Sequence, residues 1–109
     1  MLASGRNAVP LPDEIPWEVG AMLTCGIGTG YHALGRARLR LGDTVVITAA
    51  SGGVGIHAVK LARLMGMHVV AISGSPAKTD RLRAAGADEV VIQDSAGVHE
   101  QVRALSMAA

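Results

Sequence analysis

Residues 44–62 read Thr-Val-Val-Ile-Thr-Ala-Ala-Ser-Gly-Gly-Val-Gly-Ile-His-Ala-Val-Lys-Leu-Ala. The first five form a β-branched run suited to a buried strand. From Ala49 to Gly55 the chain carries almost no side chain, and the residues after Gly55 have the spacing of a helix packed on one face. A strand that turns through bare residues into a helix leaves the first helical amides unbonded and uncovered. The helix dipole adds a partial positive charge at the same point. Such a corner suits a diphosphate, so the sequence predicts a dinucleotide-binding turn.

The turn departs from the strict G-x-G-x-x-G spelling. With Gly52 and Gly55 at the second and third glycine positions, Ala50 takes the first. Gly52 would let the backbone approach a diphosphate, and Gly55 would let the helix close on the sheet. Ser51, Gly52, Gly53, Val54 and Gly55 are the candidate diphosphate-holding residues.

The rest of the chain falls into place around this unit. Residues 1–16 hold Pro10, Pro12 and Pro16 and read as an extended lead-in. Helices are predicted over 17–23 and 29–38, separated by Cys25-Gly-Ile-Gly28. Strands are predicted over 44–48, 68–72 and 89–92, with helices over 53–65 and 77–85. The turn at 73–76 places Pro76 at a first helical position, and Gly86 is a stop signal. A last helix over 98–105 is expected to fray. Short Val/Ile-rich strands alternating with helices indicate an α/β fold with a parallel sheet and right-handed crossovers. The expected architecture is a Rossmann-type sheet that is incomplete, its first half of about three strands, preceded by N-terminal helices. Residues 1–42 form the leading segment and crossing helices; residues 43–109 form the partial dinucleotide-binding domain. In the usual strand order, strand one would lack its second neighbour. That open edge makes a homo-oligomer possible, or marks the chain as a fragment.

Composition excludes several classes. A net charge of +1, with no long Lys/Arg run and 2% aromatic residues, argues against a nucleic-acid partner. Arg36, Arg38 and Arg40 read as a solvated cluster. No apolar run reaches membrane-spanning length, and the N-terminus lacks a signal-peptide pattern. With one Cys there is no internal disulfide, and a cytoplasmic location is the simplest expectation. The apolar core must come from Ala, Val, Leu, Ile and Met, because Phe is absent.

The end of the second strand, Ile72-Ser73-Gly74-Ser75, is where a ribose 2′-position would be read. A carboxylate there would bond a 2′-hydroxyl and repel a 2′-phosphate. Here small hydroxyls stand instead, with Lys78 shortly after. A charge-assisted hydrogen bond to phosphate is worth about 1.5–3 kcal/mol, enough for roughly tenfold selection. Ser73 and Lys78 therefore favour NADP(H) over NAD(H). A methyltransferase would want a carboxylate at Ser73. A short-chain dehydrogenase would want a downstream Tyr-x-x-x-Lys, whereas Tyr31 lies upstream without that Lys.

Several blocks in register, Pro12-Asp13, Ala21-Met-Leu, Cys25-Gly-Ile-Gly-Thr29-Gly-Tyr31-His-Ala-Leu34, Gly42-Asp-Thr-Val-Val46, Ser51-Gly-Gly-Val-Gly55 and Gly86-Ala-Asp88, resemble the medium-chain dehydrogenase/reductase family. The resemblance runs from about residue 8 to residue 94, and the closing residues 95–109 show none. It implies hydride transfer between a nicotinamide cofactor and a carbonyl, alcohol or enone substrate, as in zinc-type alcohol dehydrogenases and quinone oxidoreductases. It also implies that Thr29 lies against the nicotinamide. Cys25 matches a catalytic zinc ligand of the zinc-dependent branch, but its co-ligands would lie in a catalytic domain outside this sequence. Whether zinc is used stays open, and no residue here is assigned a catalytic role. A non-catalytic truncated fragment or an NADPH-sensing module is the alternative. His32, His57, His68 and His99 read as structural, with no acidic partner in evident position, and Trp17 and Tyr31 read as packing anchors.

Overall fold

A computed structural model of the chain describes residues 2–94 and 97–108. Three parallel strands, β1 (Thr44–Ile47), β2 (His68–Ser73) and β3 (Glu89–Ile92), lie in the order β1-β2-β3. Val45 pairs with Val69 and Ile47 with Ala71, while Ala71 also meets Val90 and Ser73 meets Ile92. Among the described residues β1 has β2 as its one neighbour, so its other edge is open.

Alternation along the strands builds two apolar layers. Val45, Ile47, Val69, Ala71 and Val90 face a core completed by Ile56, Val59 and Ala62 of α3 (Gly53–Leu64) and Leu82 of α4 (Thr79–Ala85). Val70, Ile72 and Val91 face the other way, against Val98, Val102 and Leu105 of α5 (Val98–Ala108). From Val69 to Ser73, β2 is buried on both faces, as the central strand of a parallel sheet must be. The chain steps from β1 to β2 to β3 with α3 and α4 on one face. Then α5 crosses the opposite face, touching all three strands on its way back toward β1. The end of β1 is thus the point where the crossovers change direction, the position at which open α/β sheets hold ligands.

Two helices precede the sheet, α1 (Trp17–Met22) and α2 (Gly28–Arg36). The break expected at residues 25–28 is instead a wide π-helical turn over Leu23–Ile27, closed by the Gly28 N–H donating to the Leu23 carbonyl. A Cβ on Gly28 would sit 2.8 Å from that oxygen, so glycine lets the turn close rather than breaking the helix. Downstream, α2 crosses α3 closely: a Cβ on Gly30 would lie 3.2 Å from Ala58 Cα.

Other boundaries shift. The second helix stops at Arg36, with Arg38 in the left-handed region at φ 53°. Ser73 belongs to β2 rather than to the following turn, and a 3₁₀ turn, Pro76–Lys78, precedes α4. The last helix continues through Ala108 instead of fraying after 105, because Val98, Val102 and Leu105 dock it on the sheet; residue 109 lies outside the described residues. Trp17 and Tyr31, read as packing anchors, are 84% and 68% exposed. His68, read as lacking an acidic partner, has Nδ1 3.6 Å from the Asp88 carboxylate. Arg36, Arg38 and Arg40 are all exposed. No helix among the described residues is long and apolar enough to cross a membrane.

Candidate dinucleotide site

The site starts where β1 ends. Ala49 takes φ 49°, a left-handed conformation unusual for a residue with a Cβ, and so swings the chain sharply off the strand. The Ala50 N–H donates to the Ile72 carbonyl at 3.0 Å, tying the turn to the end of β2. Gly52 is the helix N-cap, extended at φ −77° and ψ 174°, with no side-chain cap. Its own N–H returns to the Ala49 carbonyl at 3.0 Å. The first turn-to-turn bond of α3 is Ile56 N–H to Gly52 carbonyl, at 2.9 Å. The amides of Gly53, Val54 and Gly55 precede it and point out of the helix end, where the dipole is positive.

Each glycine of this turn has a different reason to be glycine. A Cβ on Gly55 would strike the Ala49 carbonyl and lie 2.7 Å from Ala50 Cα, so Gly55 is what lets α3 seat against the turn. A Cβ on Gly52 would lie 3.3 Å from the Ala49 carbonyl, and one on Gly53 would meet nothing within 4 Å. Packing does not require Gly53, whose Cβ position opens onto free space at the first turn of α3. That open cradle, with its amides, fits the diphosphate of a dinucleotide.

Beside the turn runs a cleft of about 510 Å³ between α2 and the open edge of β1. Thr29, Gly52, Val54 and Gly55 all line it, so the structure brings those four sequence candidates to one wall. The rest of the lining is mostly apolar, with Ala33, Ala37 and Ala58 alongside Val45, Val46 and Ile47. These alanines were not picked out from the sequence, although small residues at 30, 33 and 37 share one face of α2.

Ser51, Ser73 and Lys78 stand on the side of β2. Ser73 is fully buried. Its Oγ lies 3.2 Å from Ser51 Oγ, accepts from the Ser75 N–H at 3.3 Å and reaches the Ser75 carbonyl at 3.3 Å. Lys78 is exposed at the end of the 3₁₀ turn, its N–H bonded to the Ser75 carbonyl at 3.2 Å, and it has no ion pair among the described residues. No carboxylate stands between Ile72 and Lys78. Cys25 is exposed. Among the described residues no three His, Cys, Asp or Glu side chains gather closely enough to hold a metal, so the donors here do not fit a zinc centre.

The chain is similar in sequence and fold to known dehydrogenases and reductases. Residues 53–108 match the family described as zinc-binding dehydrogenase. The match runs through residues beyond 94, where the resemblance read from the sequence ended. The acryloyl-coenzyme A reductase of Metallosphaera sedula is 44% identical over 72 residues, covering 66% of this chain and 22% of that protein. The quinone oxidoreductase from Thermus thermophilus, solved also as its complex with NADPH, superposes with a TM-score of 0.77 at 37% identity, covering 89% of this chain and 32% of that one. The JamJ enoyl reductase superposes with a TM-score of 0.84 at 32% identity, covering 96% and 32%. The chain thus spans about a fifth to a third of these relatives.

Proposed function

The chain belongs to the medium-chain dehydrogenase/reductase family, and on that premise we propose that it is the diphosphate-holding part of a nicotinamide-dependent oxidoreductase that prefers NADP(H). The observation that carries this reading is the cradle at the start of α3, with its uncapped amides and the open space before Gly53. Gly53, Val54 and Gly55 present main-chain N–H groups to the diphosphate, bare Gly52 lets the backbone approach it, and Ser51 adds a hydroxyl at its edge. Thr29, across the cleft, borders the nicotinamide. Lys78, in a turn without a carboxylate, attracts a 2′-phosphate. The bound cofactor supplies the hydride, while the protein sets its position against the substrate.

The substrate is an enone, carbonyl or alcohol; relatives named as an acryloyl-coenzyme A reductase and an enoyl reductase favour the conjugated member of that set. Turnover requires residues beyond these 109, since a chain spanning 22% of its relative lacks most of a substrate pocket. Binding, however, is expected of this chain alone. Titration with NADPH, followed by nicotinamide fluorescence, is the test. A Cβ at Gly53 meets nothing in the protein, so Gly53→Ala keeps the fold. The same methyl intrudes on the diphosphate and weakens NADPH binding by about tenfold or more. Equal affinity in the two proteins overturns the reading.

A further inference from the structure

We propose that Ser73 is a positioning residue, its buried hydroxyl tying the diphosphate turn at Ser51 to the ribose-reading turn at Ser75. The inference rests on the cofactor reading above but goes beyond it, since it removes Ser73 from direct contact with the cofactor.

Three observations carry it. Ser73 is fully buried, and it is the one buried polar side chain in the described core. Its hydroxyl touches Ser51 on one side and both backbone groups of Ser75 on the other. Its position in β2 fixes it to the sheet: its carbonyl accepts from the Gln93 N–H at 2.8 Å, and its register partner is Ile92. Two turns that are 22 residues apart in sequence, at Ser51 and beyond Ser73, are therefore anchored to one atom on a rigid strand.

The hydroxyl has one proton and two acceptors within 3.3 Å, Ser51 Oγ and the Ser75 carbonyl. If Ser73 donates to the Ser75 carbonyl, Ser51 turns its own proton inward to Ser73. If Ser73 donates to Ser51, the Ser51 proton is released outward to an acceptor in the cradle. A diphosphate oxygen is such an acceptor, so its arrival selects the second arrangement and changes the bonding of the Ser75 turn. That turn leads directly to Lys78, whose N–H is held by the Ser75 carbonyl. Holding the diphosphate and reading the 2′-position are thereby coupled through one side chain.

The test uses the 109-residue chain, NADPH and NADH as probes, and amide exchange as a cofactor-free readout. In Ser73→Ala, exchange at the Ala50 and Gly52 amides should rise about fivefold relative to Val59 in α3, and the NADPH-to-NADH affinity ratio should fall about fivefold. A purely structural role would raise exchange uniformly and weaken both cofactors equally. Ser51→Ala breaks a single bond of the cluster at a partly exposed site, so it keeps the fold if Ser73→Ala does not. It must lower the ratio in the same direction, and the double variant must lower it no further than Ser73→Ala alone. Unchanged exchange at Ala50 and Gly52, or an unchanged affinity ratio, overturns the proposal. Original protein that binds NADH as tightly as NADPH defeats the cofactor reading instead, and the exchange measurement still judges the tether.

Discussion

At the level of single residues, two adjacent-looking glycines do opposite work. Gly53 is bare toward solvent, whereas Gly55 is bare toward backbone: its Cβ would lie 2.7 Å from Ala50 Cα and 2.9 Å from Ala50 carbonyl carbon. Backbone cannot step aside as a side-chain tip can, so the strain falls at the upper end for an overpacked site. Gly55→Ala is expected to cost about 3 kcal/mol, lowering the thermal midpoint by roughly 10 °C or more, visible in a circular-dichroism melt. A midpoint within a few degrees of the original would show that the turn relaxes around the methyl. The glycine spacing was legible in the sequence because only glycine tolerates both demands at that distance from a strand. The direction of the Ser73 hydroxyl was not. A strand buried on both faces has no polar side from which to read inside and outside, so a serine there looks the same whether it meets a ligand or another serine. Ala49 was equally hidden, since nothing in an alanine announces a left-handed φ of 49°.

Among the elements, the contact that aligns α3, β2 and β3 is made by Asp88. Its carboxylate accepts from the Val69 N–H at 2.8 Å and from Arg63 at 3.1 Å, and its own N–H returns to the Val69 carbonyl at 2.9 Å. The two side-chain bonds are not equal. The Arg63 side chain is 59% exposed, which limits that ion pair to about 0–1 kcal/mol. The Val69 residue is fully buried, and leaving its N–H without a partner costs about 1–3 kcal/mol. Urea denaturation should therefore find Asp88→Ala less stable by about 2 kcal/mol and Arg63→Ala by less than about 1 kcal/mol. Equal losses in the two variants would mean that the ion pair, not the amide bond, holds the junction. Strands and helices after residue 43 were readable because apolar period and stop glycines such as Gly86 agree, and Gly86 does take φ 116° at a helix end. The end of α2 was misplaced because Arg38, rather than a glycine, occupies the left-handed position there. The π turn was misread because its glycines resemble a break until α2 is seen lying on α3. The Asp88 junction joins residues 19 and 25 positions apart, a distance that local pattern does not report.

For the molecule as a whole, size and surface do not match. A closed monomer of 11.1 kDa exposes about 5,700 Å² and has a radius of gyration near 13 Å, whereas this chain exposes 7715 Å² with a radius of 15.9 Å. The excess is on the order of 2,000 Å², more than the roughly 800 Å² that each partner contributes to a standard protein interface. Part of it lies along β1, whose outer edge offers unpaired N–H and C=O groups, and no charge occurs between Thr44 and Ala49 to deter pairing. Val46, 39% exposed, faces the α5 side of the sheet at this edge, while Val45 and Ile47 are held in the core. A lysine at 46 can lay its stem on the sheet and keep its ammonium in water, so it guards the edge at little cost to the fold. The 109-residue chain should therefore associate in sedimentation velocity as its concentration rises, and Val46→Lys should weaken that association by about tenfold while costing less than about 1 kcal/mol of stability. A chain that sediments as a monomer at every concentration, with or without the lysine, would show that the free edge of β1 is protected by its own twist and by the cleft wall of α2.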